Sequence, residues 1–333
     1  MATTKEQVPI RHREVLADPG VQLSLQDPLA KRMLAWANER FPLPNAVLIA
    51  FLYATALIYG RALTNGGGAL SFTWGDLLAY PGVLAYSLLV RIFDEHKDYE
   101  KDLVNHPGRV LQSGLITLRH LKVLGAVCIA LMALTSILED GGIGRVTLWW
   151  VILMGYTLLM LKEFFAREWL EQRLVIYAVS HLVSLPIAVI WMAQMGGRGH
   201  NLPASVIWFA LAAGFVGASF EVSRKLEAPE DERPTLDSYS KELGVTGASV
   251  AIATLVVACA ACAAAAMAAT HENSPIGYAG LVVAVLPGIF GAVRFGRAPT
   301  RAHTQLAEGM AATTIVLILV ALMAQILAGR GIG

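Results

Sequence analysis

From residue 44 onward the chain alternates long apolar runs with polar connections, whereas its first 43 residues contain no such run. Nine apolar runs are visible, near 44–62, 75–95, 121–138, 147–163, 174–193, 205–225, 247–269, 275–295 and 305–328. A helix needs about 17–25 residues to cross the hydrocarbon core of a bilayer. In lipid every backbone N–H and C=O must be bonded within the structure, and helices meet that condition segment by segment. The pattern therefore predicts an all-α polytopic membrane bundle of about nine transmembrane helices over 44–333, behind a polar N-terminal arm, 1–43. Most connections are short, so successive helices are expected to be antiparallel neighbours. Within the arm, Asp27-Pro28 followed by LAKRMLAWANERF predicts a capped amphipathic helix with Leu29, Met33, Leu34, Trp36 and Phe41 on its apolar side. Such a helix would lie on the membrane surface or cover the mouth of the bundle.

Composition agrees with this reading. Hydrophobic residues make up 56% of the 333 positions and charged residues 15%, against about 25% charged in a soluble domain. A net charge of +1 gives no bulk field for nucleic acid, and none is expected as a partner. The arm has no apolar stretch followed by a small-residue cleavage site, so it does not read as a signal peptide. Cys259 and Cys262 form a CxxC, but in an alanine-rich apolar run without a basic neighbour to stabilise a thiolate. Close helix packing through small residues explains that stretch better than redox or metal chemistry.

Lysine and arginine set the orientation. The arm, the second-to-third, fourth-to-fifth, sixth-to-seventh and eighth-to-ninth connections hold 22 of the 26, and the opposite side holds Arg61, Arg145, Arg198 and Arg330. Basic residues stay on the cytoplasmic side, which predicts a cytoplasmic N-terminus in an integral protein of a bacterial or archaeal inner membrane. Two charged segments, 91–114 and 221–243, are then expected at one cytoplasmic mouth.

The first of these packs Asp94, Glu95, Asp98, Glu100 and Asp102 into nine residues at the end of an apolar run. On a helix Asp94, Asp98 and Asp102 share an arc of roughly 80°, with Glu95 beside Asp98. Like charges on one face of a membrane helix are costly without compensation. Oxygen-only ligands suit Mg²⁺, which binds through one or two carboxylates together with substrate phosphates and water. Arg91, His106, Arg109 and Arg119 flank the acids. Carboxylates for a metal with arginines for phosphate oxygens are what a diphosphate substrate requires. A solvated, salt-bridged juxtamembrane loop is the plainer alternative.

This stretch resembles the UbiA superfamily of intramembrane prenyltransferases. That family carries NDxxDxxxD at the end of its second helix, and Asp94–Asp102 is similar to it with Asp-Glu in place of Asn-Asp. Asn105-His106-Pro107-Gly108-Arg109 and Ser113-Gly114-Leu115-Ile116-Thr117 resemble the family's following NRPxRPxxSGxI segment. Tyr156 and Lys162 are similar to its Tyr and Lys at the fourth helix end, where the lysine meets the diphosphate. Positive-inside snorkelling explains Lys162 equally well. Asp237–Gly244 resembles the segment leading into the seventh helix. The resemblance implies metal ligation by Asp94, Glu95, Asp98 and Asp102, and diphosphate contacts from Arg91, His106, Arg109 and Lys162.

The departure lies in the second acidic motif, usually DxxxD at the sixth helix end. Here the chain reads Glu221-Val222-Ser223-Arg224-Lys225-Leu226-Glu227. Glu221 stands for the first aspartate and remains a candidate metal ligand, but Lys225 replaces the second on the same helical face. Lys225 and Arg224 are then expected to supply directly the positive charge a second metal would bring. A degenerate cluster of Glu221, Lys225 and Asp231 is the alternative, as is a second metal held by Glu227, Asp231 or Asp237.

What the resemblance implies is Mg²⁺-dependent transfer of a prenyl group from an isoprenyl diphosphate to a lipophilic acceptor. Asp94, Asp98, Lys162, Glu221 and Lys225 are the candidate catalytic set. An allylic cation needs a dry pocket with aromatic faces, for which Tyr86, Phe93, Tyr156, Phe164, Phe220 and Tyr239 are candidates, each also explicable as packing. His181, inside the fifth run, is expected to be a buried histidine satisfied by a nearby carbonyl. A terpene cyclase or diphosphate lyase of the same family, and transfer from a phosphorylated-sugar donor, are alternative readings. A transporter is disfavoured, because the charges lie at helix ends rather than in broken helices at the bilayer midplane.

Overall fold

The computed structural model describes residues 15–16, 22–232, 237–272 and 274–332. Each apolar run becomes helical. The arm contributes a two-residue antiparallel ladder, β1 (Val15–Leu16) with β2 (Gln22–Leu23), and α1 (Leu29–Arg40). Then follow α2 (Leu43–Thr64), α3 (Trp74–Leu78), α4 (Tyr80–Lys97), α5 (Tyr99–Asn105), α6 (Leu118–Asp140) and α7 (Arg145–Leu161). The remainder comprises α8 (Arg167–Glu171), α9 (Leu174–Leu182), α10 (Ser184–Gly196), α11 (Val206–Arg224), α12 (Tyr239–Ala269), α13 (Pro275–Arg297) and α14 (Arg301–Arg330). Among the described residues eight helical stretches are long and apolar enough to cross a membrane, counting α3–α4 and α9–α10 as one each, and α7 is shorter at 17 residues. The chain is an all-α membrane bundle.

Local chemistry explains the interruptions. Pro81 and Pro186 fall in the first turns of α4 and α10, and a proline ring clashes with the carbonyl four residues back, so α3 and α9 end just before them. In α12 Gly244 adopts φ 71° and ψ 162°, a conformation essentially confined to glycine. The straight run of α12 consequently starts beyond it, close to the expected 247.

One correction concerns α1. Asp27 does not cap it: Pro28 holds the N-cap position, and no side chain accepts a bond there. The Asp27 carboxylate instead accepts from the Ser24 N–H at 2.8 Å and from Lys31 Nζ at 2.7 Å.

The chain divides into two compact units, one of Met1–Ala46 with Ser87–Ile129, the other of Val47–Tyr86 with Ala130–Gly333. In the first, Trp36 is fully buried, while Leu29 and Leu34 of the expected apolar side remain exposed. In the second, α11 packs against α9, α10, α12 and α14. A Cβ on Gly60 would lie 1.9 Å from the Ala193 carbonyl oxygen, and one on Gly196 2.1 Å from that of Leu57. Backbones can approach that closely only through glycine, a feature of packing in lipid where no hydrophobic force joins helices. Pro287, inside α13, breaks the regular ladder, and the Gly288 N–H donates to Thr314 Oγ1 at 2.9 Å.

Three of the four arginines on the sparsely basic side are held by acids. Arg61 grips Asp76 through two bonds, at 2.7 and 3.1 Å, and Arg198 lies 3.7 Å from the same carboxylate. Arg330 pairs with Glu272. Pairing of this kind offsets the desolvation that would otherwise keep such charges out of the interior.

Candidate active site

In the first unit, the end of α4 and the short α5 together deliver the acid ladder. The Asp98 N–H bonds to the Asp94 carbonyl at 2.8 Å, and the Asp102 N–H to the Asp98 carbonyl at 2.8 Å. These i to i−4 bonds persist although Asp98, the N-cap of α5, has left helical geometry at φ −100° and ψ 7°. Asp94, Asp98 and Asp102 therefore follow one another by a turn each, as expected, and none is fully buried.

Arginines compensate two of them. Arg91 Nη1 lies 3.5 Å from Asp94 Oδ2, a pair with 41% and 29% of its side chains exposed. Arg109 Nη1 donates to Asp102 Oδ2 at 2.7 Å. The half-exposed Arg91 pair is weak and exchanges readily, so Arg91 can turn to an arriving anion at small cost; the Arg109 pair, with 26% and 15% of its side chains exposed, is held more firmly. Arg109 is carried by the turn after α5, where its N–H bonds to the His106 carbonyl at 3.1 Å. His106 itself is exposed at the end of α5.

Glu95 is placed elsewhere. It is completely buried, with Oε1 2.5 Å from Arg40 Nε and accepting from Trp36 Nε1 at 3.4 Å. Its Oε2 accepts from Gln112 Nε2 at 3.4 Å. Sequence reading grouped Glu95 with the metal ligands and found none of these three partners. The apolar periodicity of α1 predicts a helix but not the surface it covers. Nearby, Glu39 Oε2 accepts the Val110 N–H at 3.1 Å, and burial pushes its carboxyl above the ordinary 4.5.

The second unit holds the other candidates. Glu221 at the end of α11 is bonded by Arg224 at 2.6 Å and Lys225 at 2.8 Å, so both carboxylate oxygens face a cation on its own helix. Asp231, expected in this cluster on one reading, makes a backbone turn bond to Ala228. The chain returns through Tyr239, whose N–H donates to the Lys225 carbonyl at 3.2 Å. Ser240 Oγ accepts from the Glu227 N–H at 2.8 Å. Ser238 caps α12 through the Lys241 N–H and donates to Glu232. Asp237 is exposed.

Lys162 ends α7 and is exposed. Three successive left-handed residues follow it, Glu163, Phe164 and Phe165, at φ 48°, 51° and 59°. Such geometry costs roughly 1–3 kcal/mol per non-glycine residue and persists only where the surroundings enforce it. Here buried Glu163 accepts from Tyr177 Oη at 3.1 Å and lies 3.2 Å from His181 Nε2. His181 Nδ1 sits 2.8 Å from the Tyr177 carbonyl, the carbonyl partner expected for it. Phe164 meets both Tyr156 and His181 edge-on. Glu163 and Tyr177 carried no signal in the sequence, since neither belongs to a motif.

Of the other aromatics, Tyr86 and Tyr239 are buried and Phe93 is half-buried. Phe220 lines an apolar cavity of about 230 Å³ together with Leu48, Leu52, Phe209, Val216 and Ile318.

Among the described residues no three His, Cys, Asp or Glu side chains form a ready-made metal cage. Mg²⁺ does not need one, because it keeps several waters and takes substrate phosphates as ligands. The carboxylates of Asp94 and Asp98, hard oxygen donors one turn apart and partly accessible, fit such an ion.

By sequence, no curated protein matches the chain. By structure it is similar to a protein described under the biosynthesis of digeranylgeranylglyceryl phosphate synthase in membranes, with a TM-score of 0.62 and 14% identity over 90% of this chain and 99% of that one. It is also similar to the apo structure of a UbiA homolog from Aeropyrum pernix K1, with a TM-score of 0.58 and 15% identity over 84% and 97%. Both likenesses are of fold. The model of the UbiA prenyltransferase family matches residues 48–318, a span that includes the acid ladder, Lys162 and the Glu221 cluster, and the chain belongs to that family.

Proposed function

We propose that the protein transfers a prenyl group from an isoprenyl diphosphate to a lipophilic acceptor within the membrane, in an Mg²⁺-dependent reaction. The observation that carries this reading is the ladder Asp94, Asp98 and Asp102 with Arg91 and Arg109 paired along it. In the transfer the C–O bond at the allylic carbon breaks and its electron pair leaves with the diphosphate. A nucleophilic atom of the acceptor bonds to that carbon and gives up a proton.

Asp94, Asp98 and Asp102 would hold Mg²⁺, which supplies positive charge to the phosphate oxygens. Arg91, His106 and Arg109 donate to those oxygens as their charge grows. Preorganised donors of this kind are worth most where water is excluded. In the second unit, Lys162, Arg224 and Lys225 are proposed as further cations for phosphate, with Glu221 holding Arg224 and Lys225 in place. Glu221 stays available as a metal ligand only if those two side chains release it. The Lys/Arg distribution supports a cytoplasmic N-terminus and a cytoplasmic mouth for the 91–114 segment, in a bacterial or archaeal inner membrane.

The test is purified protein in nanodiscs with labelled farnesyl or geranylgeranyl diphosphate, a panel of lipophilic acceptors, and Mg²⁺ or EDTA. Expected are a prenylated acceptor and released diphosphate, both lost with EDTA and in Asp94→Ala or Asp98→Ala. Intact diphosphate with every acceptor would refute the proposal. A cyclic hydrocarbon as the product would replace transfer by cyclisation.

A further inference from the structure

Resting on that function, we propose that Glu95 is a positioning residue and not a metal ligand, and that α1 is a working part of the active site through the Arg40–Glu95 ion pair. Asp94 and Glu95 are neighbours on α4, so their side chains leave the helix about 100° apart. The structure shows how the two acids are divided: Asp94 stands in the ladder, half-exposed beside Arg91, while Glu95 is fully buried.

The partners of Glu95 come from segments outside α4. Arg40 and Trp36 come from α1, and Gln112 from the turn that follows α5. A buried carboxylate without a counter-charge is among the costliest groups in a protein interior, and Arg40, itself only 18% exposed, supplies that charge. Turning Glu95 out to a metal would leave Arg40 buried without its partner and break the bond to Gln112. For Glu95, ligation is therefore the unfavourable option. The rotation of α4 that seats Glu95 against Arg40 is the rotation that presents Asp94 and Asp98 together.

The same helix holds the phosphate side of the ladder. Glu39 accepts the Val110 N–H at 3.1 Å, and Arg32 Nη1 donates to the Leu115 carbonyl at 2.6 Å. Val110 directly follows Arg109, so α1 satisfies the backbone of the turn that carries the arginine paired with Asp102. Through three side chains, Arg32, Glu39 and Arg40, α1 braces both the acid ladder and the turn that carries Arg109. The sequence offered α1 only as a surface helix or a cover.

The experiment measures Mn²⁺ uptake by electron paramagnetic resonance in the full-length protein without substrate, alongside hydrogen exchange of segment 94–117. Asp94→Asn is expected to abolish uptake, whereas Glu95→Gln, whose one carbonyl can still accept from Trp36 and whose amide can meet Gln112 only if that side chain turns over, weakens it no more than Arg40→Ala does. Arg40→Ala is expected to weaken Mn²⁺ by about tenfold or more, as loss of an outer-shell partner does, and to speed exchange over 94–117. Arg40→Lys, and the double variant Arg40→Ala with Glu95→Gln, restore both readouts, because either way no uncompensated charge is left buried. That rescue keeps the test decisive even if Arg40→Ala folds poorly. Glu95→Gln losing Mn²⁺ as severely as Asp94→Asn with exchange unchanged would overturn the assignment. So would a double variant no better than Arg40→Ala. Failure of the unmutated protein to take up Mn²⁺ would instead strike the metal-dependent function first, and this assignment with it.

Discussion

Replacing Arg61 by alanine tests the idea that arginines on the sparsely basic side are tolerated only because acids hold them. Arg61 and Asp76 have side chains 4% and 10% exposed, and their closest approach is 2.7 Å. At an effective dielectric of about 20, two unit charges at that distance attract by about 6 kcal/mol. Desolvation consumes much of this, and removing one partner of a buried pair typically costs about 3–5 kcal/mol. Asp76 keeps two supports in the variant: the Thr73 N–H at 2.7 Å, and Arg198 at 3.7 Å with 42% of its side chain exposed. The expected cost is thus at the lower end, about 3 kcal/mol. Arg61→Ala combined with Asp76→Ala removes both charges and should recover a substantial part of it. The assay is denaturant unfolding in mixed micelles, with the single and double variants compared under one condition. A single variant within 1 kcal/mol of wild type, or a double variant additive in its losses, would refute the reasoning.

Other predictions concern packing, charge and pH. Gly60→Ala places a methyl group against the rigid Ala193 carbonyl and should destabilise the protein by about 1–3 kcal/mol, seen as a lowered thermal midpoint. Gly155→Ala, with nothing within 4 Å of the added carbon, should be neutral or slightly stabilising in the same measurement. If Lys225 acts on phosphate, Lys225→Ala should raise KM for the prenyl diphosphate; Lys225→Asp, which re-creates two acids four residues apart, should increase the dependence of rate on Mg²⁺. An unchanged KM in the alanine variant would assign Lys225 to the ion cluster alone. Because burial raises the Glu39 carboxyl above 4.5, the folded state holds its proton more tightly than the unfolded chain. Its stabilising contribution is therefore complete below 4.5 and lost as pH rises through the folded value. Corrected for the intrinsic base-catalysed rate, the exchange protection of 29–40 should fall over that window in wild type and stay constant in Glu39→Gln.

Much of the bundle was legible because lipid imposes a length and an apolar composition on every crossing segment, and both can be read residue by residue. The proline and glycine breaks near 81, 186 and 244 were equally local in origin. The acid ladder was legible for a similar reason. Its spacing of four residues is a property of one helix, and the backbone bonds through Asp98 preserve it.

What the sequence could not supply was the partner of each charged group across the fold. Asp94 and Glu95 are adjacent letters of like chemistry, and no periodicity says which of them meets solvent. Only the placement of α1, with Trp36 and Arg40 against α4, assigns Glu95 to the interior. The Glu163–His181 contact and the Arg61–Asp76 pair are hidden in the same way, joining residues 18 and 15 positions apart that share no motif. Segment length, helix type and the ladder follow from short-range geometry and the solvent a segment must satisfy. Which carboxylate is spent on holding the structure, and which is left for chemistry, is decided by long-range charge compensation, and that exists only once the helices have packed.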